Sequence, residues 1–195
     1  MGLGFLFLGF MFLFDFETAL SHTDSAEVYM LIDIFPDVIG WVLILVGLFL
    51  YAKKHAEFSS LKIFALPMLA VAVFTLLAGT LWYPVFYVNG VGNAFLSYFS
   101  IAVHAAELVF SFLLFSKLQP ICEKEKEPKL ASSCRLMRIF VCTEGLLYAL
   151  SLVLRLALRG AMAAVLVQRL DYLFWVLAIW YGAILLLRSD LKLSD

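Results

Sequence analysis

Charge is scarce in this chain. Only 15% of its 195 residues are Asp, Glu, Lys or Arg, while 64% are hydrophobic. Soluble domains hold roughly 25% charged residues and at most about half apolar ones. No water-facing fold of this length could hide so much apolar surface, so the solvent is a bilayer and most of that surface faces lipid. Histidine and cysteine are equally sparse, at three each. Cys122 and Cys134 flank a charged loop that holds no His, and Cys142 lies in an apolar run. A structural zinc site needs about four ligands, so no metal is expected. His104 stands in an apolar run whereas His22 and His55 lie in loops, which leaves a haem without a second axial imidazole. His104-Ala105-Ala106-Glu107 is not His-Glu-x-x-His, and no nucleophile elbow, phosphate loop or dinucleotide fingerprint occurs. No catalytic residue and no cofactor is therefore expected. The basic residues are few and mark loops, which argues against a nucleic-acid partner.

What the chain does have is six apolar runs, at residues 2–16, 36–52, 63–83, 94–116, 136–158 and 163–187. Most approach the ~20 residues of a spanning helix. They are continuous rather than alternating, which excludes the strands of a membrane barrel. The expected fold is all-α: a polytopic bundle of six transmembrane helices in one integral membrane domain, residues 1–195. Eleven of the fourteen Lys and Arg residues fall on one side if all six runs span: Lys53, Lys54, Lys62, Lys117, Lys124, Lys126, Lys129, Arg135, Arg138, Arg188 and Lys192. Basic loops stay cytoplasmic, so both termini are expected in the cytoplasm and the protein in a cell membrane. A cleaved leader is the rival reading of the first run, with Ala19-Leu20-Ser21 as a tolerable site, but no positive charge precedes the run. Pro120 and Pro128 are assigned to the charged loop, whose Glu-Lys-Glu-Lys-Glu core should be solvated. The aromatic residues read mostly as lipid-facing bulk, with Trp41, Trp82, Tyr83 and Tyr87 in an interfacial belt.

Polar positions recur every three to four residues in the fourth and fifth runs. Ser97, Ser100, His104, Glu107 and Ser111 mark one; Glu144, Tyr148, Ser151 and Arg155 mark the other. If these runs form an antiparallel hairpin, the positions meet at matched depth: Ser97 with Arg155, Ser100 with Ser151, His104 with Tyr148, Glu107 with Glu144. Polar groups in hydrocarbon are costly, so the seam must face protein or water. Two close carboxylates do not both ionise cheaply, so they share a proton or hold a cation. His104, Glu107, Glu144 and Tyr148 are thus the candidate proton or cation site. Near the opposite face Asp33, Asp37, Arg155, Arg169 and Asp171 form a second candidate cluster, an ion-pair latch or a gate. Asp33 and Asp37 share a helix face by spacing, or one of them caps the helix start. Gly40 and Gly47, seven apart, allow close helix approach.

The element Asp33-Ile34-Phe35-Pro36-Asp37-Val38-Ile39-Gly40-Trp41, with Gly2-Leu3-Gly4-Phe5-Leu6-Phe7-Leu8-Gly9-Phe10 before it, resembles a group of small uncharacterised multi-pass membrane proteins of Firmicutes-type bacteria. Those carry Asp-x-Leu-Pro-Asp-x-Ile-Gly-Tyr after a short first hydrophobic helix; here Phe35 replaces Leu and Trp41 replaces Tyr. The resemblance covers roughly the first 50 residues. It implies a bacterial cell membrane and no activity.

Two functions follow as expectations. One is a small proton- or cation-linked transporter or channel subunit using Glu107, Glu144 and His104. The other is a non-catalytic membrane scaffold that assembles as a homo-oligomer or with a membrane partner, its polar seam structural. Phe112, Leu113, Phe115, Phe140 and Val141 on the cytoplasmic side of the acids argue against a continuous pore.

Overall fold

The computed structural model describes residues 2–13, 17–21, 29–33, 37–77, 92–157 and 162–193. Among them the helices are α1 (Gly2–Phe12), α2 (Asp37–Tyr51), α3 (Lys62–Leu77, entered by a 3-10 segment Ala56–Leu61), α4 (Gly92–Lys124), α5 (Pro128–Ala157) and α6 (Met162–Leu193). One hairpin, β1 (Glu17–Ser21) with β2 (Tyr29–Asp33), interrupts the helical order. Among the described residues four helical stretches are long and apolar enough to cross a membrane: Ala56–Leu77, Ile101–Lys124, Pro128–Leu154 and Leu173–Leu193. α1 and α2 have 11 and 15 residues. At 1.5 Å per residue they rise about 16 and 22 Å, short of a ~30 Å hydrocarbon core.

Three features depart from the sequence expectation. The acidic link after α1 holds the antiparallel hairpin, in register from Glu17 opposite Asp33 to Ser21 opposite Tyr29. Its run Tyr29-Met30-Leu31-Ile32 is of the aromatic and apolar kind that favours strands. Asp33 therefore ends a strand while Asp37 opens α2, so they do not share a helix face. Asp37 sits in the first helical turn, where the exposed N–H groups and the helix dipole favour a carboxylate.

The charged loop is the second. α4 continues through Pro120 to Lys124, and α5 starts at Pro128, a position where the missing N–H is harmless. Only Glu125–Glu127 remain between them. The Lys126 N–H donates to Glu123 O (3.2 Å) and the Glu127 N–H to Cys122 O (2.8 Å). Lys126 has φ 60°. This is a Schellman closure with lysine in the left-handed seat usually taken by glycine. Cys122 and Cys134 consequently lie within helices, both buried and both free thiols, while Cys142 is exposed.

The third is the aromatic assignment. Trp41 is buried, edge-on to Phe110 with centroids 5.2 Å apart. Phe10 contacts Phe110 and Phe115 at 6.4 and 6.3 Å. These rings form the core rather than an interfacial belt; Trp82, Tyr83 and Tyr87 lie outside the described residues.

α1 packs on α2 and α6, α4 on α5, and α5 on α6. Glycines set the first contact. Gly2 faces Gly47 and Gly9 faces Gly40, so that a Cβ on Gly47 would stand 2.7 Å from Gly2 O and one on Gly9 2.7 Å from Gly40 O. Backbones this close exchange many dispersion contacts, the main adhesive between helices where lipid is as apolar as the side chains. At the end of the bundle where α1 begins, the Leu3 N–H donates to Asp190 Oδ1 of α6 (3.1 Å). Lys192 Nζ donates to Glu127 Oε2 of the α4–α5 turn (2.7 Å). Tyr51, at the end of α2, lies beside Gly2 and contacts the His55 and Phe58 rings. The start of α1, the ends of α2 and α6, and the α4–α5 turn thus gather at one end.

Candidate functional site

The antiparallel packing of α4 on α5 brings a polar group together inside an apolar bundle. His104 sits on α4 and Glu144 and Tyr148 one turn apart on α5, the spacing that puts two residues on one helix face. His104 Nε2 and Glu144 Oε1 are 2.7 Å apart, a short hydrogen bond. His104 Nδ1 is 3.9 Å from Glu107 Oε2 on the same helix, beyond direct bonding. The imidazole neighbours two aromatic rings, with Tyr148 at 4.3 Å and Trp175 of α6 at 6.5 Å between centroids. The structure therefore brings together all four residues of the predicted inner site, with His104 bridging the acids.

Burial is uneven across the group. Glu144 is 0% exposed, while His104 and Glu107 keep 19% and 22% of their side-chain surface. Glu144 Oε2 has no protein hydrogen-bond partner. Leaving such an oxygen unsatisfied in an apolar interior costs a few kcal/mol. Glu107 and Glu144 border one cavity of about 40 Å³, together with Ser111 and the apolar Phe10, Leu13, Met137 and Trp175. A water needs at least ~10–15 Å³ of such space, so the cavity has room for two or three water-sized groups.

Glu144, His104 and Glu107 form a line in which one proton has several seats. A protonated Glu144 donates to Nε2, or an N–H at Nε2 donates to a carboxylate; either state keeps the 2.7 Å bond. Nδ1 then faces Glu107 across a gap that one water, or a small rotation, closes. Tyr148 flanks the imidazole and restricts its tilt. Ser151, buried below it, donates to the Tyr148 carbonyl (2.8 Å). The side chains of Ser97, Ser100 and Arg155, the other members of the expected register, lie outside the described residues.

Of the second predicted cluster, Asp37 is half-buried at the start of α2 and Arg169 is exposed on α6. The side chains of Asp33, Arg155 and Asp171 lie outside the described residues, and so does any meeting of the five. Phe10, Leu13 and Trp175 are the cavity residues that sequence reasoning missed. Phe10 follows Gly9, one of the glycines that bring α1 against α2, and this was the available signal; Trp175 has no such mark. A second polar chain joins α4 and α5 nearer the Lys126 turn, where Arg138 Nη2 donates to Gln119 Oε1 (2.6 Å) and Gln119 Nε2 to Glu123 Oε1 (2.7 Å). Among the described residues no group of three or more His, Cys, Asp or Glu is placed to hold a metal ion.

The chain matches no protein-family model, no curated protein and no solved structure.

Proposed function

We propose that the protein is a small proton-exchanging membrane transporter or channel subunit, with Glu144, His104 and Glu107 as its proton-binding line. The observation that carries this reading is the buried Glu144 carboxyl, bonded through one oxygen to His104 and unsatisfied at the other, beside a cavity. Ionisable groups inside a membrane bundle are costly and mark ion pathways by default. A proton is favoured over a metal cation because the cavity walls offer few oxygens: the two carboxyls and Ser111 against a largely apolar lining. In this reading α1 to α6 all traverse or enter the bilayer, with the Lys- and Arg-rich end cytoplasmic, in a bacterial cell membrane. The gathering of α1, α2, α6 and the α4–α5 turn at one end supports that topology. The resemblance of residues 2–10 and 33–41 to the Firmicutes-type group supports the host.

A second reading, a scaffold with a structural seam, is favoured by one observation. Phe115, Val141 and Met137 are buried between the acids and the Lys126 turn, so protons leaving toward that end need a second conformation. Proteoliposomes with an entrapped pH dye decide between the two. Wild-type protein should collapse an imposed pH gradient, and Glu144→Gln should not while keeping its thermal unfolding transition. Gradients that persist with wild-type protein would leave the scaffold standing.

A further inference from the structure

The cavity beside Glu144 has the chemistry of an amine site. We infer that it binds a small protonated amine of ammonium or methylammonium size, and that this cation is the species exchanged against protons. The inference rests on the proton-exchanging reading of the same carboxyls and adds the co-substrate.

Three observations carry it. First, the unsatisfied Oε2 belongs to a carboxyl with no surface exposure; the group that best relieves it brings both positive charge and an N–H donor. Second, the rest of the lining is a second carboxyl (Glu107), one hydroxyl (Ser111), an aromatic wall (Trp175) and aliphatic side chains. A spherical metal cation wants several oxygens around it. An ammonium group needs only a few acceptors, accepts an aromatic neighbour, and carries methyl groups that match aliphatic walls. Third, a space of about 40 Å³, enough for a few water-sized groups, suits a ligand as small as a nitrogen with one methyl. A bound amine brings positive charge to the two carboxyls. Without it, a proton on the Glu144–His104 line does the same. Amine and proton therefore compete for one site without any further group.

Calorimetric titration of detergent-solubilised protein with methylammonium chloride tests this, below the pH at which the amine loses its proton. Saturable binding to wild type should fall at least tenfold in Glu144→Gln. Potassium at equal concentration should give no heat, nor should tetraethylammonium. Ala178 also lines the cavity; Ala178→Val narrows it and leaves every acid in place, so it should also abolish binding and serves if Glu144→Gln does not fold. Absence of methylammonium binding to folded wild type overturns the inference, as does equal binding of potassium or tetraethylammonium. Liposomes that dissipate a pH gradient while the protein ignores methylammonium reject the amine and leave the proton reading intact.

Discussion

Dismantling the His104–Glu144 pair in two steps distinguishes a working site from a structural seam. Glu144→Leu removes the acceptor 2.7 Å from His104 Nε2. An unpaired buried donor costs about 1–3 kcal/mol; since His104 keeps 19% of its surface, a loss of about 1–2 kcal/mol is expected. At roughly 2–4 °C per kcal/mol for a chain of this length, Tm falls by about 2–8 °C. His104→Leu instead strands a carboxyl that has no exposure and one oxygen already unsatisfied. That loss should be larger, about 3 kcal/mol. The double variant removes both partners. Apolar replacement of a whole buried pair is often neutral or stabilising, so its Tm should return to within about 2 °C of wild type. Thermal unfolding in detergent micelles, followed by tryptophan fluorescence, reads all three, with liposome pH decay beside it. A double variant that is stable and inert in the liposomes identifies a pair retained for chemistry. Losses that simply add in the double variant would refute the reasoning, because the pair would then contribute nothing as a unit and its burial would have another cause.

Other expectations concern the frame of the site. Gly9→Ala should destabilise by about 1–3 kcal/mol in micelle unfolding, because its Cβ would meet a backbone oxygen at 2.7 Å. Gly145→Ala should stabilise by up to about 1 kcal/mol through helix propensity, its nearest neighbour being Leu108 Cδ1 at 3.4 Å; an unchanged Tm for both would reject the tight α1–α2 contact. Lys126→Gly should raise stability by about 1 kcal/mol by relieving a non-glycine residue at φ 60°; a lower Tm would show that the lysine side chain contributes more than its backbone costs. Asp190→Ala should cost about 1 kcal/mol and speed hydrogen exchange at the Leu3 amide, its bonded donor; exchange at the wild-type rate would discount the cap.

The inner site was legible because its spacing is helical and its residues are rare for their surroundings. A His and two Glu in apolar runs turn inward, and the matched spacing of polar positions in the fourth and fifth runs points to their antiparallel pairing. The partner within the group was less legible: His104 bonds Glu144 rather than stopping at Tyr148, a difference of one turn that a side chain's reach decides. Helix ends differ from the sequence expectation where charge does not mean loop. Lys117 to Arg135 is mostly helical, since lysine and glutamate are good helix formers wherever their tips reach water. Trp41 is a core ring rather than a belt ring, because hydrophobicity alone does not distinguish a lipid-facing ring from a core ring. The glycines decide that, and only Gly40 and Gly47 were read as a contact face, without their partners Gly2 and Gly9.

The bond from Leu3 to Asp190 spans 187 positions of sequence. It therefore has a consequence for biogenesis. α1 leaves the ribosome before α6, yet its Leu3 amide does not meet Asp190 until α6 has been translated and inserted. A chain stalled before that point holds α1 by its glycine face against α2 and by Phe10 against Phe110 and Phe115 of α4, and the wall that Trp175 of α6 gives the Glu144 cavity closes after both.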